Sequence, residues 1–314
     1  MTIAPGQSPA SAADQRRGGA DEFVFTTGDG SDRVAVVEPQ GPTTLPPELL
    51  DGLRARLPAA LENGEIQIWY QPMVEMASGR LTGAEALVRW AHPGYGVLGP
   101  GLLLPIAAEL GLIGDLARRV VRRAIHQYLA WQDEGDVLPL LAINLEANDL
   151  DDAMVTLVAA AVTDAGMPAG RLALELSEQA VIPDDPGTVA RLHKLRSFGV
   201  RFALDDFGTG YSSLSHLKDL PIDTVKIDRR FISGMVQDSA DRAIVESIVT
   251  LVRRLGRRTV AEGVETAEQA RLLMDMGCGI GQGFLFSVPL PAEVLSARLR
   301  RRDPTLIGRV DEPR

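Results

Sequence analysis

Short apolar runs with strand character recur between residues 66 and 286, and amphipathic helical patterns fall between most of them. That alternation admits few folds, because each run must bury itself against a neighbouring run and a covering helix. The strand candidates are 66–72, 81–90, 138–145, 171–176, 201–206, 224–228, 259–262 and 281–286. Helical patterns lie at 45–63, with Gly64 as a stop, and at 116–132, 153–165, 186–198, 240–255 and 267–276. About eight strands over some 250 residues suit one α/β domain, a TIM-like (β/α)8 barrel. A doubly wound open sheet is the competing topology. No Gly-x-Gly-x-x-Gly follows a strand candidate, and Gly277-Cys-Gly-Ile-Gly281 precedes an apolar strand rather than a helix, so a dinucleotide fold has little support.

The organisation expected from this pattern is a flexible arm or linker over 1–44, a barrel domain over 45–302 and a short tail over 303–314. The first segment is rich in Gly, Pro, Ala, Ser and Asp and lacks apolar periodicity. Its start has neither the basic residues nor the apolar core of a secretory signal. Apolar runs such as 101–106 and 138–143 fall far short of the roughly 20 residues a membrane helix needs. Cys278 is the only cysteine, which excludes an intrachain disulfide and fits a reducing cytoplasm. His92, His126, His193 and His216 are scattered without metal-ligand spacing. A net charge of −10 argues against long nucleic acid as a partner. A small phosphorylated substrate is compatible with it if divalent cations supply positive charge.

Polar residues interrupt or end the apolar strands repeatedly. Glu85 sits within 81–90, Asn144 ends 140–144, Glu175 lies in 172–176, Asp205 and Asp206 end 202–204, and Glu262 follows 259–261. Lys226 and Asp228 flank Ile227. Strand C-termini of a barrel converge on one mouth, so these side chains are expected to meet there. Taken singly, each acid reads as a salt-bridged strand end; their recurrence on successive strands reads as a site. So many carboxylates repel one another unless cations neutralise them or some are protonated. Oxygen donors without Cys or His select Mg²⁺ or Mn²⁺. Adjacent acids such as Asp205 and Asp206 suit a two-ion arrangement, ions about 4 Å apart, of the kind that cleaves phosphodiesters. The chain has only two other lysines, Lys194 and Lys218, so Lys226 reads either as a needed compact ammonium or as a structural partner of Asp228 or Asp206.

Tyr70-Gln-Pro72, Gly83-Ala-Glu-Ala-Leu87-Val-Arg-Trp90, Asn144-Leu145, Glu175-Leu-Ser-Glu178 and Asp205-Asp-Phe-Gly-Thr-Gly-Tyr-Ser-Ser-Leu214 occur in that order. Lys226-Ile-Asp228, Ala261-Glu-Gly-Val-Glu-Thr266 and Gln282-Gly-Phe-Leu-Phe286 follow. This ordered set, covering about residues 66–291, resembles the EAL-domain family of cyclic-di-GMP-specific phosphodiesterases. The resemblance implies a barrel of the EAL type, its first strand antiparallel to the rest, that hydrolyses cyclic-di-GMP to linear pGpG with Mg²⁺ or Mn²⁺. By the same resemblance Glu85, Asn144, Glu175 and Asp205 hold a first ion, and Asp205 and Asp206 flank a second. Lys226 and Glu262 hold or activate the attacking water, Glu85 and Glu262 count both as catalytic residues and as metal ligands, and Asp228 and Gln282 complete the site. Gln71, Leu87 and Arg89 match contacts to the dinucleotide, a guanidinium being able to grip phosphate bidentately. Glu178 matches the anchor of the loop 207–214, which in the family links homodimer packing to metal binding.

Some positions depart from the family pattern. Glu146 stands where the family usually has Ser, Leu102-Leu-Leu-Pro105 lacks an aromatic, and Val288 replaces a common basic residue; none removes a matched ligand or the lysine. A catalytically silent EAL domain, acting as cyclic-di-GMP sensor or scaffold, is the alternative from another class. A different Mg²⁺-dependent barrel enzyme is the rival that site chemistry alone leaves open. Arg17-Gly-Gly-Ala-Asp-Glu-Phe23 resembles the signature of diguanylate cyclases, with Ala20 inserted and too few residues around it for a cyclase domain. It reads as chance or a degenerate remnant.

Overall fold

A computed structural model describes residues 20–26, 33–39, 47–177, 186–208, 217 and 220–300. In chain order the early elements are β1 (Ala20–Thr26), β2 (Arg33–Pro39), α1 (Pro47–Glu62), β3 (Ile66–Glu75), β4 (Arg80–His92), β5 (Gly96–Leu98), α2 (Pro100–Glu109) and α3 (Ile113–Asp133). Then come β6 (Leu141–Asn144), α4 (Asp152–Thr163), β7 (Leu172–Ser177), α5 (Pro186–Ser197), β8 (Arg201–Phe207) and β9 (Thr224–Ile227). The last are α6 (Arg229–Gly234), α7 (Ser239–Arg254), β10 (Arg258–Ala261), α8 (Ala267–Met276), β11 (Ile280–Gly281), β12 (Leu290–Pro291) and α9 (Ala292–Arg300). Described residues up to Gln67, with Val88–Ile113, form one compact unit; Ile68–Leu87 and the described residues from Gly114 onward form a second.

In the second unit eight strands close a ring in the order β4, β6, β7, β8, β9, β10, β11, β3 and back to β4. Neighbours from β4 to β11 are parallel, whereas β3 pairs antiparallel with β11. The reversal of β3 follows from its connection: residues 76–79 join it to β4, with Gly79 at φ 68°. So short a link returns the chain antiparallel, while each parallel pair needs a helical crossover. The crossover helix α3 buries Leu116, Val120, Val121, Ala124, Ile125, Tyr128 and Trp131, a stripe at three- and four-residue spacing.

Strand alternation decides what fills the ring. Met73, Ala142, Ala173 and Val260 pack together, with Leu140 and Ile280 against them. Two residues further along their strands, on the same face, stand Asn144, Glu175 and Glu262. The acids are therefore carried one layer above an apolar plug, at the strand C-termini. Gly83, two residues before Glu85, keeps this layer closed: a Cβ there would lie 2.9 Å from both the Leu140 carbonyl oxygen and Met73 Cε.

The expected strand over 281–286 is shorter in the structure, where β11 ends at Gly281. Gly283 adopts φ 153°, a Cβ on it would come within 2.3 Å of the Val264 backbone, and Phe286 N–H bonds the Gly283 carbonyl in a turn. Helices α2, α6 and α9 add to those marked by periodicity. Pro100 and Pro105 mask α2 in the sequence, although Pro at the first turn is compatible with a helix.

In the first unit Glu65 accepts from Arg56 at 2.7 and 3.0 Å and from Trp90 Nε1 at 3.1 Å. The end of β4 pairs antiparallel with β5, β5 pairs parallel with β2, and β2 forms an antiparallel hairpin with β1. Two segments of the stretch read as an arm, 1–44, are thus strands. Its remainder lies outside the described residues, as does the tail 303–314.

Candidate active site

Lys226, on β9, is 1% exposed, and its ammonium meets carboxylates from four other strand ends. Nζ lies 2.6 Å from Glu262, 2.7 Å from Glu175, 3.1 Å from Asp205 and 3.3 Å from Glu85. The sequence alone suggested Asp228 or Asp206 as structural partners for this lysine, but its ion pairs go elsewhere. Asn144, at the end of β6, donates to Glu85 Oε1, while Gln282 Nε2 donates to Glu85 Oε2 at 2.6 Å and to Gln71 Oε1 at 3.2 Å. Gln282 is placed by its backbone, which donates to the Ala261 carbonyl and accepts from Val264 N–H.

Adjacent residues on a regular strand point to opposite faces, so Asp205 and Asp206 could not both face the mouth from an unbroken β8. The β8–β9 register shifts by one residue between Leu204 and Phe207, a bulge that falls on these two residues. Asp206 takes φ 53°, a left-handed conformation that no other described non-glycine residue adopts. Carboxylate oxygens of Asp205, Asp206 and Glu262 consequently lie within 4.8 Å of one another. The sequence shows the pair of acids but not the bulge; the only local hint is the turn-forming Gly208 just beyond.

The electrostatics follow from this crowding. Burial pushes the Glu262 carboxyl up to about 8, with Asp205 and Glu85 adding to the rise and Lys226 opposing it. Burial, then Asp205 and a hydrogen bond with Asp228, raises Asp206 to about 6. Burial also holds Glu175 well above the usual carboxylate range, against the pull of Lys226. Burial acts on Glu85 in the same sense, but Lys226, Gln282 and Asn144 outweigh it and leave that carboxyl below its ordinary value. Burial would lower the Lys226 ammonium, yet Glu175, Glu262, Glu85 and Asp205 hold it well above the usual range. One ammonium does not balance four carboxylates, and uncompensated buried charge is costly. The donor set therefore fits one or more hard cations held by oxygen, with Asp205, Asp206 and Glu262 the best-gathered group.

The remaining expected residues divide. Asp228 is buried and caps α6, accepting from Arg230 N–H at 2.6 Å, besides its bond to Asp206. Leu87 follows Glu85 by two residues along β4 and is half-buried. Arg89 belongs to the first unit, where it is 2% exposed and donates to the Val88 carbonyl at 2.9 Å. Glu178 and most of the loop 207–214 lie outside the described residues. Among the described residues no helix is long and apolar enough to cross a membrane.

Fold and site together define a closed α/β barrel with a carboxylate-rich mouth built around one buried lysine. Residues 54–289 match the family model described as EAL domain, and the chain belongs to that family. It is 40% identical over 288 residues to the uncharacterized protein Rv1354c of Mycobacterium tuberculosis, covering 90% of this chain and 46% of that protein. It is 41% identical over 251 residues to the bifunctional diguanylate cyclase/cyclic di-GMP phosphodiesterase MucR of Pseudomonas aeruginosa, covering 80% and 36%. A solved structure described as the PaMucR phosphodiesterase in complex with c-di-GMP superimposes with a TM-score of 0.74 at 41% identity, covering 78% of this chain and 99% of that one. The chain thus spans less than half the length of these two relatives.

Proposed function

We propose that this chain hydrolyses cyclic-di-GMP to linear pGpG in a reaction that requires Mg²⁺ or Mn²⁺. The observation that carries the reading is the convergence of Glu85, Glu175, Asp205 and Glu262 on Lys226, in an EAL domain whose relative MucR is named a bifunctional diguanylate cyclase/cyclic di-GMP phosphodiesterase. Glu85, Asn144, Glu175 and Asp205 would hold one cation, and Asp205, Asp206 and Glu262 a second. Such cations supply positive charge to the phosphodiester and lower the pKa of water.

The chain's own groups have separable tasks in this reading. Glu262 accepts the proton of the attacking water, and Lys226 orients that carboxylate from 2.6 Å. Water adds to phosphorus, the bond to the 3′ oxygen breaks, and that oxygen takes up a proton from solvent, to which Glu262 returns the one it accepted. Gln282 and Asn144 hold Glu85 in orientation through its two oxygens. Gln71 and Leu87 contact the dinucleotide, and Asp228 restrains Asp206. The catalytic domain extends over 45–302, the protein acts in the cytoplasm, and it pairs as a homodimer with Glu178 anchoring the loop that follows β8. A silent binding domain is the less favoured reading because every matched position of the cluster is filled.

The test is product analysis with purified protein, cyclic-di-GMP and Mg²⁺ or Mn²⁺. Appearance of pGpG that stops on chelation is expected. Saturable binding of cyclic-di-GMP with no pGpG formed would replace the enzyme by a sensor.

A further inference from the structure

The opposite end of the barrel carries the opposite charge. Arg171, Arg201 and Arg258 stand four residues before Glu175, Asp205 and Glu262. An even spacing keeps side chains on one face of a strand. The inward face that presents carboxylates at one mouth therefore presents guanidiniums at the other, about 13 Å away at ~3.3 Å per residue. Register agrees: Arg201 pairs with Ala173, a member of the interior cluster, and Arg258 lies two residues before Val260, another member.

Lys194, Arg196, Arg253 and Arg254 occupy the last turns of α5 and α7, where cations complement the helix ends. Helix ends do not account for Arg171, Arg201 and Arg258, which stand at or just before the starts of β7, β8 and β10. Arg171 donates to the Pro139 carbonyl at 2.6 Å. The half-buried Arg201 and the exposed Arg258 make no side-chain hydrogen bond or ion pair among the described residues. The nearby acid, Asp223, is engaged by Arg196 and by Phe202 N–H at 2.9 Å. Burial, then Arg258, Arg171 and Arg196, lowers the Arg201 guanidinium from its ordinary value against the pull of Asp223. In a chain of net charge −10, unanswered positive charge has been gathered at one rim.

We propose that the N-terminal mouth of the barrel binds a small phosphorylated anion, gripped by Arg201 and Arg258 with Arg171 beside them. Guanidinium forks match phosphate oxygens bidentately, and a phosphate dianion balances two such charges where a carboxylate balances one. An extended polyanion is disfavoured by the negative charge of the whole chain. This site is separate from the proposed hydrolytic centre.

The probe is inorganic pyrophosphate, titrated calorimetrically into the full chain in metal-free buffer, where the acidic mouth repels anions, at ionic strength fixed with NaCl. Saturable one-to-one binding is expected, weakened about ten-fold or more by Arg201→Gln and by Arg258→Gln, and unchanged by Arg54→Gln on the first unit. Circular dichroism checks that each variant is folded, and either one alone decides. Absence of saturable binding overturns the proposal, as does affinity left intact by either folded variant.

Discussion

The Lys226 ammonium lies 2.6 Å from a carboxylate oxygen of Glu262, joining β9 to the residue just past β10. The same ammonium reaches three further acids, so the lysine is both a candidate catalytic group and the internal counter-ion of the mouth. Lys226→Ala leaves those acids without it, and Lys226→Arg places a wider planar fork in a pocket that is 1% exposed. Each substitution is expected to lower kcat by about 10²-fold or more, the scale usual for a positioned acid-base or electrostatic group. Cyclic-di-GMP affinity measured in Ca²⁺ should change far less. Normal turnover by Lys226→Arg would make the residue a replaceable charge.

Stability without a cation should fall as pH rises. Glu262 titrates near 8 when folded against an ordinary 4.5, and Asp206 near 6 against 3.8. Between those values the folded chain binds more protons than the unfolded one, so the stability these groups contribute is lost on going up through the window. Glu85, held below its ordinary value, acts oppositely and only at lower pH. Thermal melts in chelator should show a lower Tm at about pH 8 than at about pH 5.5, and Mg²⁺ or Mn²⁺ should restore the loss at the higher pH. A Tm that rises with pH in chelator would contradict the arrangement.

Asp206 carries backbone strain as well as charge. At φ 53° a glycine is relaxed, so Asp206→Gly should keep or slightly raise stability while reducing turnover through loss of an oxygen donor. Asp206→Val should unfold at lower urea, by about 1–3 kcal/mol, because a β-branched residue resists that conformation. Equal stability of the two variants would mean that the bulge does not hold this geometry in solution.

Gly83 positions Glu85 through space rather than charge. Gly83→Ala puts a methyl 2.9 Å from Met73 Cε and from the Leu140 carbonyl. Overpacking of this kind costs about 1–3 kcal/mol, readable from urea unfolding. Turnover should fall as well, since β4 must shift and Glu85 shifts with it. Activity unchanged alongside lost stability would confine the effect to the apolar layer.

Strand and helix periods, the acids at strand ends and the isolation of Lys226 among arginines are properties of local order, and they determined the α/β class and the residues available to a strand-end site. Reversal of β3 was expected only through the family resemblance, although the short link to β4 enforces it. What local order does not contain is closure. Lys226 faces Glu85, which is 141 residues away, because the ring returns β4 beside β3, and no window of sequence spans that distance. The bulge that turns Asp206 toward Asp205 and Glu262 depends on pairing with β9, and the end of β11 at Gly281 depends on the Val264 backbone crowding Gly283. Pairing of β2 with β5, likewise, is decided by a partner some sixty residues on. The rim of Arg171, Arg201 and Arg258 emerges only when three separate strands are set in register, since a guanidinium's neighbours are fixed by packing across the sheet and not by adjacency along the chain.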